Sequence, residues 1–484
     1  MMDTPDDLLT WCGGLVLLLA IVVGVNCQGY AGSMRSVRSS FANNDPDRAL
    51  AQLNTQLGTD TSREPPASLE GSSALTLLER ATLLQALNQY NQSANDLITA
   101  DNRLEYLDLS SADSLELGKY LYSERATTYR APAFERLALN ALNMLNFLAI
   151  NDYQGARVEA RRFDLIDQFF VKHDDQVIRR HLRALGYYLG GISFERGGDY
   201  HEAARYYGRA YYFGFRSRDL KQRLIDLYRI TGYQPGELRA RDPGALDELT
   251  SAARDGAISV NEYRKRYLSG GDTLLVVQTG MVPYRDTRQV RVNRAISIAR
   301  GARYSHLRLS AGDASRFRSI ALGAGITAIP FPGLTQGETP PNRNTSLRID
   351  ALSSESLNPF AHVNLALQAE QAWNDKKGTL MVAAITRFLA RLTAAGVTKH
   401  QVEQNTGSSG WGFLAGLATY ITLQALDQPD TRSWMTLPGE IKLYRTSLSP
   451  GERQIRLDVG AKRIERTVSI NGKQLNVINF SRHR

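Results

Sequence analysis

At 484 residues the chain is longer than a single hydrophobic core usually grows, so two or more domains are expected. Its two cysteines, Cys12 and Cys27, both lie in the first segment, which excludes disulfides and cysteine metal sites from everything beyond it. The formal charge of +9 comes from 58 Lys and Arg against 49 Asp and Glu with no basic run of five or six, so a solvated surface and no nucleic-acid partner are expected.

The chain opens with an apolar stretch. Gly13 to Val25 carries no charge, the length of a signal-peptide core and short of the roughly 20 residues that span a bilayer. Counted from Leu8 to Cys27 it reaches that length. Residues 1–26 therefore read as a signal peptide or a membrane anchor, and Cys27 as the candidate lipidation site. Asn26 stands where a cleaved lipoprotein carries a small residue, and "MMDTPDD" offers aspartates where an exported chain carries positive charge. Acylation at Cys27, an uncleaved helix and a buried apolar helix of a cytosolic protein are all open readings of these residues. Gln28 supplies no aspartate retention signal, which favours the outer membrane over an inner-membrane anchor.

A helical repeat region is expected over 34–231. "GYYLGGISFERGGDYHEAARYYGRAYYF" has the outline of a tetratricopeptide unit: Tyr187, Gly191 and Phe194, a turn at Gly198-Asp199-Tyr200, then Ala203, Tyr207 and Ala210. Weaker copies turn at Asp152-Tyr153, Tyr90 and Asp45. Tyr206, Arg209, Tyr212 and Arg216 fall near one face at helical spacing and are candidate partner-binding anchors; the other reading of such a stripe is core.

Residues 232–271 read as a linker, and 272–484 as a mixed α/β domain. "LLVVQTGMVP" predicts a buried strand; "ITAIPFPGL" and "SLRIDAL" are shorter extended candidates. Phe360 to Trp373 and Leu380 to Ala395 predict two helices, and "WGFLAGLATYITLQALD" a third, buried one. "RQIRLDVG" alternates as a half-buried strand does. "TVSINGKQLNVINF" predicts a C-terminal hairpin turning at Asn471-Gly472, with Val468 opposite Leu475. The fold class expected is α + α/β.

Several stretches together resemble a bacterial family. "CQGYAGSMRSVRSSF", "APAFERLALNALNMLNFLAINDYQGARVEARR", "LLVVQTGMVP" and above all "DTRSWMTLPGEIKLYRTSLSPGERQIRL" are similar to the conserved outer-membrane lipoproteins without assigned function that join an N-terminal tetratricopeptide-like region to a C-terminal α/β domain. The resemblance implies a periplasm-facing lipoprotein acylated at Cys27, of a family some of whose members are encoded near small lipoproteins linked to peptidoglycan synthesis, with no enzymatic activity to carry over. Within the last motif, Asp430, Arg432 and Trp434 read either as a recognition surface or as a structural corner, Asp430 accepting backbone hydrogen bonds and Trp434 filling the core.

Catalytic chemistry is not legible. His173, His181, His201, His306, His362, His400 and His483 are scattered without metal-ligand spacing. "TGSSGWG" lacks the lysine of a phosphate loop, and its serines miss a nucleophile-elbow spacing. No metal and no cofactor are expected. The function expected is that of a membrane-tethered envelope scaffold that binds another envelope protein through its helical repeats, close to peptidoglycan; the alternative is a cell-wall or glycan-acting enzyme with its site in the C-terminal domain.

Overall fold

The computed structural model describes residues 29–109, 129, 131–173, 180–233, 242–302, 308–323, 326–336, 345–350, 356–406 and 429–483. Among these, eleven helices precede the first strand. Eight form hairpins: α1 (Tyr30–Ala42) with α2 (Pro46–Leu57), α3 (Ser73–Ala86) with α4 (Tyr90–Leu109), α5 (Ala133–Ala149) with α6 (Tyr153–His173), and α7 (Arg180–Arg196) with α8 (Tyr200–Tyr212). Then come α9 (Arg218–Thr231), α10 (Pro243–Arg254) and α11 (Val260–Tyr267).

One device closes all four hairpins. The turn residue takes positive φ, at Asn44, Asn88, Asn151 and Gly198, residue types that tolerate the left-handed region. The next amide bonds back five residues, Asp45 to Ser40, Gln89 to Leu84, Asp152 to Phe147 and Asp199 to Phe194, closing the helix end. Asp45, Asp152 and Asp199 then cap the following helix by accepting from the amides of Arg48, Gly155 and Glu202. Small residues set the helix spacing: a Cβ on Gly191 would fall 2.3 Å from the Tyr207 ring, and one on Gly190 2.5 Å from that of Tyr206.

The helices cover one face of a sheet. Strand β1 (Asp272–Met281) is central, with β6 (Pro438–Ser447) antiparallel on one side and β9 (Asn476–Arg482) parallel on the other; β5 (Ala361–Asn364) pairs antiparallel with β6 at the edge. Leu274, Val276, Ile441 and Leu443 join the helical core. Leu275, Val277, Tyr444 and Phe480 face the other way, onto Ile455, Leu457 and Val459 of a three-stranded antiparallel sheet, β4 (Thr345–Ile349), β7 (Gly451–Val459) and β8 (Lys462–Ile470). Being buried on both faces is why Leu274 to Val277 of β1 are all apolar.

A separate lobe carries its own core. Strands β2 (Tyr284–Arg291) and β3 (Ala328–Thr335) pair antiparallel and pack with α12 (Val292–Arg300), α13 (Ala311–Gly323) and part of α14 (Leu365–Thr406) around Ile296, Phe317, Phe331, Met381 and Ile385.

The C-terminal region is mixed, as expected, but three sequence expectations change. The hairpin lies one strand earlier, β7 with β8 through Gly460-Ala461, and Val468 pairs with Arg453, not Leu475. Asn471-Gly472 instead links two sheets: the Gly270 amide donates to the Gly472 carbonyl, and the Asn476 side chain bonds Asn471 and the Asp272 carbonyl, steering β9 beside β1. The two helices expected from Phe360 to Ala395 are one, α14, preceded by β5, since no proline or cap interrupts them. The span read as a linker contains α10 and α11, whose Leu246, Leu249, Tyr263 and Tyr267 enter the helical core. "WGFLAGLATYITLQALD", residues 1–28 with Cys27, and "GSSGWG" of the glycine loop lie outside the described residues. No helix among the described residues is long and apolar enough to cross a membrane.

Candidate functional site

The Tyr and Arg stripe does not form one exposed face. Tyr206 is fully buried between α8 and α6, its hydroxyl donating to the Ala160 carbonyl at 3.1 Å. Arg209 pairs with Asp164 and lies over the Tyr187 ring. Tyr212 is half-buried, with Arg180 stacked 5.2 Å from its centroid. Arg216, beyond the helix end, pairs with Asp242 at 2.6 Å. The stripe is mostly core because α8 packs against α6 and α7 on the side from which Tyr206 and Arg209 project. Of the four, Arg216 is exposed, Arg209 and Tyr212 are half-buried, and Tyr206 is core.

Asp430, Arg432 and Trp434 form a corner in which Arg432 and Trp434 are buried and Asp430 is half-buried. The Asp430 carboxylate accepts from the Arg432 amide at 3.0 Å and its guanidinium at 2.7 Å. Trp434 is 0 % exposed, and its indole N–H donates to Thr82 Oγ1 at 3.0 Å.

Two charged clusters that the sequence reading missed hold the helices to the sheet. In the first, Glu195 Oε1 accepts from Arg223 (2.9 Å) and the Tyr263 hydroxyl, and Oε2 from Arg445 (3.0 Å) and Tyr207 (2.8 Å). Asp272 at the head of β1 accepts twice from Arg445, at 3.0 and 2.8 Å, and once from Arg196. Burial alone would push these carboxyls up; the Arg223 and Arg445 guanidiniums outweigh it and hold Glu195 down at about 2, and Arg445 foremost holds Asp272 well below the usual range. Asp219 completes the balance, pairing with Arg223 at 2.8 Å.

In the second cluster no guanidinium bonds the carboxylates among the described residues, although the charge of Arg285 acts on Glu135. Glu79 on α3 accepts from the amides of Met435 (2.8 Å) and Thr436 (2.7 Å), from Thr436 Oγ1 (2.6 Å) and from Tyr30 (3.2 Å). Glu135 on α5 accepts from the Trp434 amide at 3.3 Å and from Tyr129. Burial pushes both carboxyls up to about 7, against these hydrogen bonds. Nearby, Arg38 of α1 donates to the carbonyls of Met435 and Val282, and His483 packs tilted against Phe41, centroids 3.8 Å apart, while bonding the Gly280 carbonyl. Burial holds His483 down at about 4.

The carboxylates of both clusters are buried and bonded across the layers. Among the described residues no three His, Cys, Asp or Glu side chains converge as metal ligands would. A surface that is open lies on α6, where Val158, Leu165, Phe169 and Val171 are 45, 67, 49 and 60 % exposed. Val158, Leu165 and Phe169 share a stripe at helical spacing, with exposed Arg161 along it. The acids of α6, Glu159, Asp164 and Asp167, point inward to Asn140, Arg209 and Arg183. No protein-family model, curated protein or solved structure matches this chain.

Proposed function

We propose that the protein is a membrane-tethered envelope adaptor of the outer-membrane lipoprotein type, acylated at Cys27 and facing the periplasm, whose helices, read as tetratricopeptide-like, bind another envelope protein. The observation that carries the reading is the apolar stripe of α6, left open in a helical region whose other large side chains are almost all buried. Leu165 and Phe169 offer an anchor, and with the helix's acids turned inward Arg161 gives the face positive character. The partner it suits is an amphipathic helix with apolar anchors and flanking acids.

A photo-crosslinking residue at Leu165 of the full chain in its native membrane tests this. The expected result is one discrete protein adduct, absent from a control at Lys462 and lost on Phe169→Asp at unchanged melting temperature. No adduct, or one indifferent to Phe169→Asp, overturns the docking face. Mass spectrometry of the same material reads the tether: a mature chain beginning at acylated Cys27 supports it, and an unprocessed Met1 removes it.

A further inference from the structure

The positive charge of the chain is concentrated in one lobe. Residues 284–336 contain nine Arg, two Asp and neither Lys nor Glu, so this short span carries +7 of the formal +9. Arg291, Arg294, Arg300, Arg316 and Arg318 are exposed and make no ion pair among the described residues. Asp313 is bonded to Ser310, and Asp286 faces Arg35 at 4.0 Å. This contrasts with the helical region, where guanidiniums such as Arg80, Arg183 and Arg223 are spent on buried carboxylates.

The root of this lobe adjoins the point where the described chain starts. Thr431 Oγ1 accepts from the Ala31 amide at 3.1 Å, and Ser433 Oγ, two residues on, accepts from the Arg285 amide at 3.3 Å. Helix α1 itself packs on β2, with Arg38 4.5 Å over the Tyr284 ring. Gly29 is two residues from Cys27, a reach of at most about 7 Å when extended. An acyl group on Cys27 would therefore hold the base of the arginine-rich lobe close to the bilayer surface.

We propose that the lobe lies on that surface with its arginines against the phosphates of anionic lipid headgroups. The proposal rests on the tether reading above. Guanidinium pairs well with phosphate oxygens, and a basic patch beside a lipid chain supplies the second signal that makes attachment firm and fixes its orientation. The apolar stripe of α6 belongs to a different element and stays available to a partner.

The test is hydrogen exchange on the full chain, extracted from its membrane and reconstituted in vesicles of phosphatidylcholine with or without about 30 % phosphatidylglycerol. Amides of 288–300 and 311–319 are expected to be protected in the anionic vesicles only, and to lose that protection at about 0.5 M sodium chloride. Combined Arg291→Gln, Arg294→Gln, Arg316→Gln and Arg318→Gln should abolish it while the chain still floats with the vesicles. Exchange in neutral detergent identical to the parent's shows that this variant is folded; if it is not, the salt dependence of the parent decides. A chain that floats but leaves the lobe equally exposed in both lipids overturns the lobe proposal alone. A chain that does not float overturns the tether, and this proposal with it.

Discussion

The two charged clusters that join helices to sheet perform the same task by opposite means. Around Glu195 and Asp272, three arginines neutralise the buried acids, so carboxylate is the stable form. Around Glu79 and Glu135 the donors are backbone amides and hydroxyls, and the proton competes with them. The lesson is that burial alone does not set the charge state of a carboxyl; whether a guanidinium charge is brought against it decides. The two clusters accordingly respond differently to substitution and to pH.

The largest effect is expected at the arginine-rich cluster. Glu195→Gln removes the carboxylate shared by the buried Arg223 and Arg445, leaving the first to Asp219 and the second to Asp272, and should lower the unfolding free energy by about 3–5 kcal/mol, read by denaturant titration at pH 7. A loss below about 1 kcal/mol would mean that water reaches this cluster and the contrast fails. The parent's Glu195 contribution is present above its ordinary value near 4.5 and is lost as pH falls through about 2.

His483 comes next. With the folded value depressed to about 4, unfolding takes up a proton below about 6.5, so stability falls as pH drops through that window, by about 3 kcal/mol in full. His483→Phe keeps the ring packing on Phe41 and should flatten this limb. Denaturant midpoints at pH 7 and 4.5 check it, and an unchanged acid slope would show that the ring is not buried neutral.

The smallest effect sharpens the comparison most. Glu79→Gln retains one acceptor for the Met435 and Thr436 amides and should cost about 1–3 kcal/mol. The raised value in the parent means that its contribution is full below about 4.5 and is lost as pH rises through about 7, the reverse of Glu195. The variant should therefore lose part of any gain in stability between pH 7 and 5. A variant with the parent's pH profile would place Glu79 among ordinary ionised carboxylates.

The hairpin turns and β1 were legible because local chemistry dictates them: "NDY" and "GDY" encode a left-handed residue and a cap, and "LLVV" a strand buried on both faces. The clusters were not, since Glu79 in "LLERATLL" and Arg445 in "KLYRTS" look like polar interruptions until residues far apart in sequence converge. Their one local sign is a charge set within an apolar run. The Asn471-Gly472 turn misled for a related reason: it is a true turn, but the strand after it is claimed by β1, roughly two hundred residues upstream. Tyr206 and Trp434 show that aromatic binding anchors and aromatic core residues have the same spacing, and burial alone separates them.

The placement of β9 has a further consequence for how the chain comes to be folded. The final strand lies parallel to the first strand of its sheet, and the Ala31 amide finds its partner 400 residues later, at Thr431. During synthesis the helices emerge long before the sheet that covers their inner face, so the layers join only once β9 has emerged, and assembly is slow and non-local. A helical layer made without β6 and β9 would be left with a bare apolar face that proteases and chaperones recognise.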